Sequence, residues 1–221
     1  MCLTREADTV SKKSDSLIGL VLAGGQSRRM GRDKALMRYQ GRTLIEHASL
    51  LLQSASCEHV LISRNAPGFL GDLIEDAGPL GGVHAALNFL DNAEDGSSNH
   101  SELLVLPVDM PQMTPQLLNT LVSKGREVQR ACYVENRFLP FYLPITSNTK
   151  TSLAHYLVDQ SKRRVVGFLD RVNAISLEEV SLTEIKNREG DHNEKSYGYG
   201  PNKDNAQWLN VNTPGDWPHE K

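Results

Sequence analysis

Leu17-Ile18-Gly19-Leu20-Val21-Leu22-Ala23 is a run without a polar side chain, and it ends in Gly24-Gly25. The chain then turns basic through Gln26-Ser27-Arg28-Arg29-Met30-Gly31-Arg32-Asp33-Lys34. A strand at the centre of a parallel sheet is apolar on both faces, because helices cover both sides of such a sheet. The run therefore reads as a buried parallel strand feeding a glycine-opened loop.

Working outward, strand-like and helix-like segments alternate. Residues 43–54 place Leu44, Ile45, Ala48, Leu51 and Leu52 at helical spacing, and 59–63 read as a second strand. Residues 73–76 read as a short third strand, 78–82 as a turn and 83–90 as a helix. A polar loop over 91–101 leads to the apolar strand 103–107, which stops just before Asp109. A helix over 114–123 follows, then strands over 127–134 and 138–143, then a helix N-capped by Asn148 that carries Leu153, Tyr156 and Leu157. Such alternation implies an α/β fold: a Rossmann-like, mostly parallel sheet flanked by helices on both faces. Residues 208–212 return to strand-like alternation, and Thr213-Pro214-Gly215-Asp216 is a helix start.

Length and composition narrow the class. The 221 residues suit a single domain over 17–221, preceded by a polar leader over 1–16 that is expected to be disordered. Residues 187–205 are rich in charge, Gly and Asn and poor in aliphatic side chains, the composition of a mobile loop. The formal net charge is −3, so no global positive field favours nucleic acid or an anionic membrane, and phosphate binding requires a local site. Three scattered thiols, Cys2, Cys57 and Cys132, suggest neither a disulfide framework nor a zinc site. No apolar run approaches membrane-spanning length, and the expected compartment is the cytoplasm.

Three segments carry chemistry. In the loop after the first strand, glycines let backbone N–H groups approach phosphate oxygens, and Arg28, Arg29, Arg32 and Lys34 supply cations. The loop is not a Walker A motif, since five residues separate Gly25 from Gly31 and Arg32 follows. Nor is it a dinucleotide fingerprint, because Gly24-Gly25-Gln26 breaks that pattern. The second segment is Leu106-Pro107-Val108-Asp109-Met110-Pro111. A carboxylate just past the C-terminal end of a buried strand lies where open α/β sheets bind ligands, and it suits Mg²⁺ shared with substrate phosphates. Asp76 ends its segment similarly. The third is Asn210-Val211-Asn212, where alternation puts both amides on one face, available to the metal or the phosphates. No nucleophilic triad stands out, as expected where positioning and charge neutralisation suffice.

The loop LAGGQSRRMGRDKALM resembles the signature of the sugar-nucleotide-type nucleotidyltransferases, most of all the molybdenum cofactor guanylyltransferases (MobA family). The likeness continues through Gly78-Pro79-Leu80-Gly81-Gly82, LPVDMP at Asp109, Arg163-Arg164-Val165-Val166-Gly167-Phe168 and WLNVNTP. It implies the nucleotide-diphospho-sugar transferase type of fold. It also implies transfer of GMP from GTP to the terminal phosphate of (molybdenum-)molybdopterin, with release of pyrophosphate and with Mg²⁺ as cofactor. By matching position, Arg29, Lys34 and Asp109 would be catalytic. Leu22, Ala23, Gly24, Gly25, Lys34, Ser63, Asp76 and Asp109 would bind the nucleotide. Asp109, with Asn210 and Asn212, would hold the metal.

The chain departs from the family at Ser63, where Asn is frequent, and at Leu139, where Gln or His often precedes the proline. Partners implied are the two substrates, cofactor-delivery proteins and molybdoenzymes, with a monomeric enzyme expected. A cytidylyl relative and a nucleotide-binding regulator are the competing readings. Gly24 and Pro79 favour guanine over cytosine, and the joint presence of Lys34 and Asp109 favours turnover.

Overall fold

In a computed structural model of the chain, residues 16–24, 33–92 and 100–178 are described. They run through β1 (Ser16–Leu22), a 3₁₀ turn (Lys34–Leu36), a hairpin of β2 (Arg38–Tyr39) and β3 (Arg42–Thr43), and α1 (Leu44–Ser54). Next come β4 (His59–Ser63), α2 (Pro79–Asp91), β5 (His100–Pro107) and α3 (Pro115–Val128). The rest is β6 (Cys132–Val134), β7 (Arg137–Pro144), α4 (Ser147–Ala154), a π-helical turn (His155–Asp159), α5 (Val165–Arg171) and β8 (Ile175–Leu177).

Six strands form one sheet in the order β4-β1-β5-β7-β6-β8. β1 pairs in parallel with β4 and β5, and β6 with β8, while β7 is antiparallel to both β5 and β6. Side chains alternate across the pleat. Leu17 and Val21 of β1, with Leu104 and Leu106 of β5, face a core closed by α1 and α3 through Leu44, Ala48, Leu52, Leu118 and Leu121. Ile18, Leu20, Leu103 and Val105 face the opposite core, closed by Leu80, Val83 and Ala86 of α2, Leu153 of α4 and Phe168 of α5. Both faces of β1 are buried, which is what the unbroken apolar run required. The expected mostly parallel, helix-flanked sheet is the observed architecture.

Several boundaries differ from expectation, each for a local reason. Residues 73–76 are not a strand: Leu73 is exposed, Asp76 sits at φ 52°, and the parallel bridge to Ser63 is made earlier, by Leu70. The expected strand over 127–134 begins only at Cys132, because α3 continues to Val128 and stops where Gln129 turns left-handed at φ 51°. The segment 78–82 is not merely a turn, since α2 starts at Pro79, with proline in its first turn. Gly78 precedes it at φ 61°, ψ −151°, a conformation open essentially to glycine alone.

α4 is capped by Thr146 and not by Asn148: the Thr146 hydroxyl accepts the Thr149 N–H at 3.1 Å in a capping box. β5 begins at His100, earlier than the apolar run suggested. β1 begins at Ser16, whose hydroxyl donates to Glu58 Oε2 at 2.6 Å, so the leader boundary moves back by one residue. The β2–β3 hairpin, α5 and β8 had no counterpart among the expected elements.

The rest of the expected leader, the loop cations Arg28, Arg29 and Arg32, Gly25, the 187–205 loop, the 208–212 strand with Asn210 and Asn212, and the final helix lie outside the described residues. No helix among the described residues is long and apolar enough to cross a membrane.

Candidate active site

The parallel strands β4, β1 and β5 end together at Ser63, Leu22 and Pro107, which are in register. Two backbone bonds carry this alignment beyond the strands. Ala23 N–H donates to the Ser63 carbonyl at 2.9 Å, and Val108 N–H donates to the Leu22 carbonyl at 3.0 Å. The chain segments leaving the three strands are thus held side by side at the C-terminal edge of the sheet, where open α/β sheets bind ligands.

Lys34 and Asp109 meet at this edge. Lys34 opens the 3₁₀ turn, whose N-cap is Asp33: its carboxylate accepts the Ala35 N–H at 3.1 Å. Asp109 lies in the turn just past β5. Lys34 Nζ donates to Asp109 Oδ2 at 3.0 Å, with side chains 14% and 24% exposed. The contact is sheltered, with both side chains still partly exposed.

The Asp109 turn is braced beyond that contact. Met113 N–H donates to the Met110 carbonyl at 3.1 Å. The His47 ring, on α1, bonds the Pro111 carbonyl through Nε2 at 2.7 Å. Tyr39 of β2 holds that ring edge-on, with centroids 5.1 Å apart. His47 and Tyr39 were not among the residues expected to matter. No periodicity in the sequence marks either of them, because the partner of His47 lies 64 residues away.

The nucleotide positions expected from the sequence are distributed unevenly. Gly24 is exposed at the edge, and a Cβ there would meet only the Ser63 carbonyl at 3.9 Å. Ala23 N–H is committed to the Ser63 carbonyl and is not a donor for a ligand. Ser63 itself is buried at 4% exposure, beneath the first turn of α2. A Cβ on Gly82 would come within 2.4 Å of the Ser63 hydroxyl and 2.8 Å of Leu22, so only glycine lets α2 sit this close to the strand ends. Ser63 therefore shapes the edge from below. Asp76 is exposed in the loop leading to Gly78, and it makes no hydrogen bond or ion pair among the described residues.

Asp109 offers a hard carboxylate with Oδ1 unshared with Lys34. Among the described residues no group of three His, Cys, Asp or Glu could enclose a metal ion. That donor set suits a cation that takes one carboxylate from the protein and completes its shell with phosphate oxygens and water, which is how Mg²⁺ binds at phosphate-transfer sites.

On the far side of Asp109 opens a cleft of about 440 Å³. Met110, Phe138, Leu139 and Val165 give it apolar walls, and Arg137 and Arg164 contribute cationic side chains.

Residues 19–172 match the MobA-like NTP transferase domain. The chain belongs to this family. Over 90% of its length it is 31% identical to the molybdenum cofactor guanylyltransferase of Xanthomonas euvesicatoria pv. vesicatoria (strain 85-10), covering 91% of that protein. Its fold is similar to that of the molybdopterin-guanine dinucleotide biosynthesis protein A from Archaeoglobus fulgidus, with a TM-score of 0.64, 21% identity, and coverage of 90% of this chain and 94% of that one. It is also similar to Rv0371C from Mycobacterium tuberculosis H37Rv, solved in complex with manganese, with a TM-score of 0.51, 17% identity, and coverage of 74% and 88%. Family membership makes the chain a nucleotidyltransferase, and Lys34 and Asp109 lie within the matched residues.

Proposed function

We propose that the chain transfers GMP from GTP to the terminal phosphate of molybdopterin, releasing pyrophosphate and forming the guanine dinucleotide form of the cofactor. The observation that carries this reading is the Lys34–Asp109 pair at the common end of β1 and β5. Similarity to guanylyltransferases over nine-tenths of the chain supports the choice of donor and acceptor.

In this reading the triphosphate lies along the edge beside Lys34. The ammonium carries three donors, of which Asp109 takes one, and its positive charge attracts phosphate oxygens. The acceptor phosphate is already an anion at neutral pH and needs no strong general base. What opposes reaction is the meeting of two anions, and fixed cations that offset charge developing in the transition state lower that barrier. Lys34 acts in this way, and Arg29 is proposed to do the same from the loop. Asp109 would hold Mg²⁺ by Oδ1, with Asn210 and Asn212 as further candidate ligands. When bound, the ion neutralises phosphate charge and stabilises the leaving pyrophosphate. Manganese in the Mycobacterium tuberculosis relative is in keeping with a divalent ion.

The acceptor is proposed to lie in the cleft beyond Met110. Its apolar walls suit a flat heterocycle, and Arg137 and Arg164 suit a phosphate. Leu139 and Phe138 make this wall apolar where many relatives are polar at the residue before the proline.

Incubating the purified protein with molybdopterin, a divalent cation and each nucleoside triphosphate tests the reading. Pyrophosphate release with GTP and not with CTP or ATP is expected. Comparable release with CTP would overturn the guanylyl assignment, and no release with any nucleotide would overturn turnover itself.

A further inference from the structure

Asp33, one residue before Lys34, is a negative charge beside the proposed phosphate site. Its carboxylate is divided between two partners. Oδ1 accepts the Ala35 N–H at 3.1 Å and so caps the turn that carries Lys34. Oδ2 is paired with the Arg64 guanidinium. Arg64 is the first residue after β4, and its side chain is only 16% exposed against 44% for Asp33. Its own backbone N–H donates to the Leu70 carbonyl at 2.8 Å, and its guanidinium lies 5.4 Å from the centre of the Phe69 ring. The arginine is thus held by its own loop and reaches from there across to the turn.

Two ion pairs of the described residues stand at the edge: Lys34 with Asp109, and Arg64 with Asp33. Removing Arg64 alone would leave the Asp33 carboxylate without a cationic partner among the described residues, next to the one described cation proposed to face phosphate. It would also free the cap residue that sets the direction of Lys34. Neither effect involves contact between Arg64 and the nucleotide.

We propose that Arg64 is a positioning residue for nucleotide phosphate: it offsets the charge of Asp33 and fixes the turn that presents Lys34. The proposal rests on the reading of Lys34 as phosphate-facing. It predicts a penalty that depends on phosphate count and on the charge of Asp33.

The test is calorimetric titration of GTP, GMP and guanosine into the wild-type chain, Arg64→Ala, Asp33→Asn and the double variant at fixed ionic strength, with KM and kcat for GTP measured alongside. Asparagine keeps the oxygen that caps Ala35 and removes only the charge. Arg64→Ala is expected to weaken GTP binding on the order of tenfold, GMP less and guanosine least, with the loss appearing mainly in KM. Asp33→Asn is expected to bind GTP at least as well as wild type and to restore most of the loss in the Arg64→Ala background. Arg64→Lys, which keeps the charge without the planar fork, should fall between wild type and Arg64→Ala, and it carries the same comparison if the alanine variant does not fold.

Equal losses for all three ligands, or no recovery on adding Asp33→Asn, would overturn the proposal. A wild-type chain that binds guanosine as tightly as GTP would instead overturn the phosphate-site reading on which it stands.

Discussion

The Lys34 ammonium stands 3.0 Å from Asp109 Oδ2, joining residues 75 positions apart across the C-terminal edge of the sheet. The pair exists because β1 and β5 are adjacent and in register, with Leu22 opposite Pro107. A segment leaving one strand therefore meets the segment leaving the next. Each group holds the other in place, and in the proposed reaction that would leave little reorganisation to the transition state.

Removing the carboxylate should stop turnover without unfolding the chain. Asp109→Ala is expected to lower kcat by on the order of 10²–10³, the size of loss seen when one preorganised charge-stabilising group is deleted. Asp109 is partly exposed and lies in a turn, so the thermal transition should change little. Circular dichroism with pyrophosphate-release kinetics checks both halves. A folded Asp109→Ala chain that retains wild-type turnover would remove Asp109 from the mechanism.

Lys34→Ala should separate phosphate recognition from nucleoside recognition. GTP binding is expected to weaken by on the order of tenfold or more, the worth of a charged hydrogen bond, while guanosine binding stays within about twofold. Titration of both ligands into the variant reads this directly. Equal losses would mean that Lys34 supports the turn and does not meet the ligand.

Cys57 and Cys132 should be inert in the folded chain. Burial pushes Cys57 up to about 12 and Cys132 up to about 11, from an ordinary value near 9. Both therefore stay protonated at pH 8, and the thiolate is the reactive form. An alkylating reagent at pH 8 should spare both in native protein and modify both in urea, with peptide mapping as the readout. The sign of the linked stability effect follows. Both acids are weakened by folding, so their contribution is fully present below about pH 9 and is lost as pH rises toward 11–12. Cys57→Ala with Cys132→Ala should flatten the alkaline fall in stability, and an unchanged fall would assign it to other groups.

The main features of the fold were legible because burial on both faces leaves a mark that one residue's context can carry. The run at β1 and the one at β5 need no partner information to be recognised as central strands. The misread segments are those decided by tertiary partners. Glu127 and Val128 extend α3 because Leu121, Val122 and Gly125 are buried beneath it and Arg126 reaches back to Glu102. Leu73 and Ile74 look strand-like, but the sheet edge is taken by Leu70 first. At the site, Lys34 and Asp109 were visible as residue types at strand ends, whereas the roles of His47 and Arg64 depend on neighbours 64 and 31 residues away. A loop residue's partner across a sheet edge has no periodicity to announce it.

Gly125 shows how closely α3 lies on the sheet. A Cβ there would fall 2.1 Å from the Tyr142 ring, and that ring cannot simply move, since its hydroxyl donates to the buried Glu102 at 2.8 Å. Gly125→Ala gains helix propensity yet must displace Tyr142 or the helix. Overpacking of this kind costs about 1–3 kcal/mol. In a domain of this size each kcal/mol lowers Tm by about 2–4 °C. Thermal denaturation checks the expected fall, and a variant as stable as wild type would show that α3 can lift away without cost.

Base choice is the sharpest expectation, and it can be tested at two residues. Asp76 is exposed in the loop before α2, in a left-handed conformation, and its carboxylate has no partner among the described residues. A carboxylate can accept guanine's N1–H and 2-amino donors together, and cytosine presents no such pair of donors. Once a bound nucleotide covers such an acceptor, a base without the donors leaves it unpaired and is rejected. Asp76→Ala is therefore expected to reduce the GTP-over-CTP preference in kcat/KM by on the order of tenfold or more, with the loss falling on GTP. Gly24 is a different case. The described residues leave room for a Cβ, with nothing closer than the Ser63 carbonyl at 3.9 Å, so Gly24→Ala should leave the empty chain's stability unchanged. In the proposed reading the penalty comes from the ligand, and Gly24→Ala is expected to raise KM for GTP while Tm stays at the wild-type value. Steady-state kinetics with GTP and CTP, paired with thermal denaturation of both variants, separates these outcomes. An Asp76→Ala chain that loses activity equally with every nucleotide would assign Asp76 to the ribose or the loop. A Gly24→Ala chain that binds GTP normally would place the base away from the end of β1.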